Sequence, residues 1–147
     1  MAGDEQARAR AMQPRRVVEL AEEECWALLG SVSVGRVVFT MKAMPAVRPV
    51  NHLLDGKTVI IRSHLGAAIA GHAAGGGAVV CYEADDIDLA CHTGWSVVAT
   101  GLACLVRPAE IARYERLLEP WAAGQMDHFI AITPQAITGI RLIAWCT

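Results

Sequence analysis

The sequence predicts a mainly β domain that curls into a small closed or half-open barrel. Three observations carry this. Six or seven short runs rich in β-branched residues recur along the chain, as in Thr58–Ile61. Turn residues such as Asp55-Gly56 separate neighbouring runs, so successive strands pair antiparallel. Helical patterns are few and serve as connections, and strands at this density with few helices suit a barrel.

Size and composition narrow the reading. A chain of 147 residues makes one domain. Its hydrophobic content of 54% and mean hydropathy of +0.34 imply a large core and apolar surface buried against a second subunit. No apolar run approaches the roughly 18 residues that span a bilayer, so no membrane is expected. A net charge of −2 gives no global argument for nucleic acid. The first 16 residues carry Arg8, Arg10, Arg15 and Arg16 without the apolar middle of a signal peptide. They read as a flexible tail (1–16) before a single domain (17–147), in a cytoplasmic protein. Cys25, Cys81, Cys91, Cys104 and Cys146 form no C-x-x-C pair and read as reduced, mostly buried thiols. With His72 and His92 they match no known zinc spacing, so no metal is expected.

In order, residues 18–29 read as a helix, with acids at its start and Gly30 at its end. Ser31 to Met41 reads as a strand, and Gly35 in its middle signals a bulge or close backbone approach. A hairpin follows. Ala67 to Ala74 reads as a short helix, which Gly75 to Gly77 break without the lysine of a P-loop. Ala78 to Glu83 is a buried strand, and Ala84 to Thr93 an acidic loop in which Asp85, Asp86 and Asp88 are solvated. Gly94 to Val106 is a long strand bent at Gly101. Pro108 opens a helix to Trp121, and Phe129–Ile132 and Ala136–Ile143 are two closing strands.

The hairpin from Pro45 to Gly66 holds the chemistry. Arg48, Asn51, His52, Arg62, Ser63 and His64 lie on or just after its two strands. Cations and hydroxyls at a strand end, beside a helix that Gly66 opens, suit a phosphate.

Five stretches in this order, GRVVFT, RPVNHLLDGKTVIIRS, VCYEADDID, TGWSVVATG and PWAAGQMDHFIAITPQAITGIRL, resemble the pyridoxamine-5′-phosphate-oxidase-like family of flavin-binding split barrels. They cover about Glu19 to Leu142. The resemblance implies a six-stranded antiparallel Greek-key split barrel with a few connecting helices. It implies a homodimer with FMN in each of two interface clefts. On that resemblance Arg48, Val50, Asn51 and His52 line the first flavin-contacting strand, and Arg62, Ser63, His64 and Gly66 approach the phosphate. Trp95 and Ser96 approach the ring from the other subunit. The chain departs from the family after Gly66, where a basic residue is usual and Ala67, Ala68 and Ile69 stand.

The implied function is FMN-dependent transfer of electrons or hydride to or from a small organic substrate, with NAD(P)H as a candidate donor. Trp121 and His128 would border the substrate pocket. The alternatives are a deazaflavin-dependent reductase and a non-catalytic flavin- or haem-binding dimer. The cofactor carries the chemistry in every reading, so no side chain is assigned as acid or base.

Overall fold

The computed structural model describes residues 1–11, 14–64, 77–119 and 128–144. Gly66, Ala67 to Ile69, His72, Trp121 and Cys146 lie outside them. Helix α1 spans Ala2–Ala11. Strand β1, Arg16–Glu19, pairs antiparallel with the end of β7, Arg16 opposite Ile143. The stretch expected to be a tail thus holds a helix and the first residue of the sheet. Helix α2 is Glu22–Ser31; the residues before it, read as helical, belong to β1 and a short link.

The other strands are β2 (Val34–Met41), β3 (Met44–Asp55), β4 (Thr58–Ser63), β5 (Ala78–Asp88), β6 (Thr93–Leu105) and β7 (His128–Ile143). Helix α3, Pro108–Glu115, precedes β7 and is shorter than the expected run to Trp121. Six strands close a ring, β7-β4-β3-β2-β5-β6 and back to β7, every pairing being antiparallel. β1 is the seventh strand.

Two further expectations are corrected. The acidic stretch after Glu83 continues β5 to Asp88, because a strand with one solvated face tolerates acids there. The two closing strands are one 16-residue strand. Pro134 sits inside it, where the β6–β7 register slips between Thr100 and Gly101, so its missing N–H falls at an irregularity.

Alternation fills the ring. Val37 and Phe39, Val50, Val59 and Ile61, Val80 and Tyr82, Trp95 and Val97, and Ile130 and Ile132 face inward with Cys25 and Leu29 of α2. A smaller cluster lies on the outer face, where Tyr114 and Leu118 cover Ile60 and Phe129. Cys25 is buried, Cys81 half-buried, and Cys91 and Cys104 exposed, so the thiols are less buried than expected.

The β2–β3 turn puts Lys42 at φ 51° and Ala43 at φ 61°. Two consecutive left-handed residues define a turn that Asn-Gly fits and β-carbon-bearing Lys-Ala strains. The double substitution Lys42→Asn, Ala43→Gly is expected to stabilise the fold by about 1 kcal/mol. Chemical denaturation at equilibrium measures this, and an unchanged midpoint contradicts it.

Candidate functional site

The β3–β4 hairpin carries most of the predicted site, and strand alternation sorts its residues onto two faces. Val50, His52 and Ser63 are buried. Val50 belongs to the inner core, and Ser63 follows the inward phase of Val59 and Ile61. Asn51 and Arg62 take the opposite, outer phase. Asn51 and Arg62 each stand one residue beyond the last β3–β4 pair, His52 opposite Ile61.

His52 turns its side chain inward, and both ring nitrogens are engaged there. The Leu29 carbonyl can only accept, so Nε2 carries the proton and donates to it at 2.8 Å. Nδ1 then accepts from the Tyr82 hydroxyl at 2.5 Å. The rings meet edge-on, with centroids 5.1 Å apart. Burial pushes the His52 pKa below its ordinary value and raises that of Tyr82. Both groups are therefore neutral at physiological pH.

On the outer face, Asn51 and Arg62 converge on the chain just after α3. Asn51 Nδ2 donates to the Glu119 carbonyl at 2.6 Å. Arg62 Nη1 lies 3.4 Å from the Leu118 carbonyl. The Arg62 guanidinium also stacks 4.8 Å from the Phe129 ring centre. Asn51 Oδ1 is closed to solvent and has no hydrogen-bond partner among the described residues.

α3 is fixed to the same hairpin at its turn. Tyr114 OH donates to Asp55 Oδ2 at 2.6 Å, and Arg113 Nη2 to the same oxygen at 2.8 Å. The Tyr114 hydrogen bond, then Arg113, hold the Asp55 carboxyl below its usual range, and the Tyr114 hydroxyl is pushed up to about 12. A depressed carboxyl pKa stabilises above the unfolded value of 3.8, and the contribution is lost as pH falls through the folded value. Acidification below about pH 4 is expected to lower the protection of α3 amides relative to their intrinsic exchange rates at each pH, and Asp55→Asn to remove that acid dependence. Exchange in α3 that ignores both changes contradicts this.

The remaining candidates disperse. Arg48 is exposed, stands opposite Val37 in register, and bonds the Val47 carbonyl at 2.9 Å. It therefore follows the phase of Val50, not that of Arg62. His64 is exposed, and His128 is half-buried opposite Ser63. Trp95 is 7% exposed and packs in the core cluster. Ser96, on the other face, borders a cleft of about 390 Å³ with Val98, Ile137 and Thr138.

A larger cleft of about 800 Å³ opens beside Gly30 to Val34, Arg36, His52, Asp85 and Asp86. Arg36 is bound there by Glu83 at 3.0 Å and Asp85 at 3.2 Å, so acids outnumber the cation and a phosphate is disfavoured. Among the described residues no three His, Cys, Asp or Glu gather as metal ligands, and no helix is long and apolar enough to cross a membrane.

Sequence reasoning missed Tyr82, Leu118 and Glu119. The phase of Val50, His52 and Leu54 could have found the inward histidine, whereas the two carbonyls carry no side-chain signal.

Comparison with known proteins places this geometry. The family described as pyridoxamine 5′-phosphate oxidase matches residues 21–141. An uncharacterised protein of Mycobacterium tuberculosis is 51% identical over 141 residues, 93% of each chain. A crystal structure of a candidate pyridoxamine 5′-phosphate oxidase from Corynebacterium glutamicum is 32% identical, with a TM-score of 0.71 over 86% of this chain and 98% of that one. An FAD-binding protein of Mycobacterium smegmatis is 31% identical, with a TM-score of 0.62 over the same shares.

Proposed function

The chain belongs to the pyridoxamine 5′-phosphate oxidase family, and on that premise we propose that it is an FMN-binding, cytoplasmic homodimer that passes electrons or hydride to or from a small organic substrate. The observation that carries the reading is the convergence of Asn51 and Arg62 on the Glu119 and Leu118 carbonyls, inside the matched stretch. The ligand class is supported by the M. smegmatis relative, whose name states FAD binding. Free thiols at Cys25, Cys81, Cys91 and Cys104 suit a reducing compartment.

The residues fit a flavin in kind. The Arg62 guanidinium suits an anionic phosphate, and the uncommitted Asn51 oxygen suits a donor on the ligand. Val50 and His52 offer only their backbone to the outer face. Ser96 lines an outer cleft with Val98, Ile137 and Thr138, which this reading offers to the ring held by a partner subunit. A bound flavin supplies two-electron chemistry through its ring, and NAD(P)H is the proposed donor. The chain's own part is to bind, orient and exclude water. A haem would need an axial ligand, and the His52 ring nitrogens are engaged by Leu29 and Tyr82; among the described residues His64, His92 and His128 remain for that reading.

Dimerisation is supported by an outer row running Val47–Val38–Cys81–Thr100 across β3, β2, β5 and β6. Val47 in this row and Val79 beside it are 52% and 68% exposed. Val79→Glu is expected to convert dimer to monomer in light scattering; an unchanged mass removes this face from the interface.

The test of the function is the absorption spectrum after FMN is added and the excess removed. Retained flavin bands that NADH or NADPH bleaches support it, and a colourless protein refutes it. Arg62→Ala is expected to weaken FMN binding roughly tenfold, about 1.4 kcal/mol.

A further inference from the structure

The cleft beside Ser96 has a charged edge on β1. Glu19 closes that strand, and backbone pairing sets its place. It stands opposite Ile140 of β7, and Ser96 of β6 stands opposite the same Ile140 from the other side. Glu19, Ile140 and Ser96 thus form one row across three strands and share a face. Two strand spacings, about 10 Å, separate Glu19 from Ser96. The Leu20 N–H donates to the Gly139 carbonyl at 2.9 Å, so the end of β1 is tied to β7. All three residues of the row line the cleft of about 390 Å³, with the Val98–Thr138 pair in the next row.

This lining has the make-up of a small-molecule site, apolar walls with a few polar groups. Val98 and Ile140 supply apolar surface. The Ser96 and Thr138 hydroxyls can donate or accept, whereas the Glu19 carboxylate only accepts. The Glu19 side chain is exposed and makes no ion pair or hydrogen bond among the described residues. The arginines of β1 and β7, Arg16 and Arg141, take the opposite phase. Asp85 continues the row beyond Ser96 but is bound by Arg36 at 3.2 Å. The charge that the cleft presents is therefore negative, and Glu19 supplies it. Glu19 also precedes the matched residues 21–141, so this charge lies outside the family's matched stretch.

We propose that Glu19 makes the Ser96 cleft selective for a small organic cation, an amidinium or ammonium on a compact apolar body, and that the substrate is of this class. The apolar body rests on Val98 and Ile140, and the cation donates to the carboxylate. An anion of the same shape is repelled. The substrate assignment rests on the flavin reading above; the preference of the cleft for a cation does not.

Benzamidine, benzamide and benzoate are the probes, one ring with a cationic, a neutral and an anionic end. Binding to the isotope-labelled full chain is followed by backbone amide chemical shifts, which also locate it. Benzamidine is expected to shift the amides of Ser96, Val98 and Thr138. It should bind about fivefold more tightly than benzamide, the upper range for a pair with an exposed carboxylate, and benzoate should bind most weakly. The difference should shrink as salt is raised. Glu19→Gln is expected to abolish it, and Glu19→Lys to reverse the order in favour of benzoate. Both variants keep the backbone pairing of β1, since the side chain holds nothing in place. In FMN-loaded protein, benzamidine is expected to shift the flavin absorption band, and Glu19→Gln to weaken that response about fivefold.

Equal binding of the three probes, or shifts confined to another part of the chain, overturns the cation site. A preference that survives Glu19→Gln overturns the role of Glu19. Either result leaves the flavin reading standing where FMN is retained. A retained flavin whose band ignores bound benzamidine overturns the substrate assignment alone. A chain that retains no FMN yet keeps the Glu19-dependent preference overturns the flavin reading and the substrate assignment, and supports the cation site.

Discussion

Gly35→Ala is expected to destabilise the fold by about 3 kcal/mol or more, at the upper end of what overpacking costs. A β-carbon at this position would lie 2.5 Å from the Glu83 carbonyl oxygen and 2.5 Å from the Tyr82 hydroxyl. The first is backbone locked in the β2–β5 pairing, where Arg36 and Glu83 are opposite, so it cannot swing aside. The second is the hydroxyl that bonds His52. The methyl therefore forces the strands apart or drives Tyr82 off its histidine. Equilibrium urea unfolding measures the loss, and a midpoint within about 0.5 kcal/mol of wild type would show that β2 and β5 do not approach as described.

Tyr82→Phe is expected to cost about 1–3 kcal/mol, the range for leaving a buried polar group without its partner. The phenyl ring keeps the volume, so no cavity accompanies the loss. What remains is an imidazole nitrogen with no donor, while Nε2 stays with the Leu29 carbonyl. The pair also makes stability depend on pH. The His52 pKa is lowered by burial from 6.5, against the raising influence of the Leu29 hydrogen bond. The unfolded chain then binds the proton more readily, so stability is full above about 6.5 and declines as pH falls from there toward the folded value. His52→Gln should flatten that part of the curve. Wild-type stability that stays level between pH 7 and pH 5 would mean that the histidine is not held neutral in the core.

How much of this was legible depended on whether a residue's role lived in its own pattern or in a distant partner. The hairpin was readable because Thr58 to Ile61 is β-branched and Asp55-Gly56 turns the chain. Gly35 was readable as a bulge or a close approach because a glycine amid Val34, Val37 and Val38 interrupts a β-branched run, and the structure makes it a close approach. β1 was not, since four residues carry no period and only Ile140 to Ile143 make them a strand. The acids of β5 masked a strand because solvated faces accept any polar side chain. At the site, the hairpin's polar residues were found but not the face each takes. His52 lay in phase with Val50 and Leu54, which points it inward. The family resemblance put it on the flavin-contacting strand, whereas the partners that engage its ring, Leu29 and Tyr82, lie in other elements. Trp95 likewise packs inward with Val97.

The 16-residue strand β7 bears on how the barrel is made. It pairs with β1, β4 and β6, so every segment before it leaves the ribosome with a gap in the ring. Until residues 128–143 emerge, one side of β4 and one side of β6 are unpaired edges, and unpaired edges recruit other chains. The pairing of β7 with β1 also joins residues as far apart as Arg16 and Ile143, and pairings this non-local form slowly. Biogenesis, more than the finished fold, is therefore where this protein is most exposed to aggregation, and nascent chains stalled before β7 are its vulnerable form.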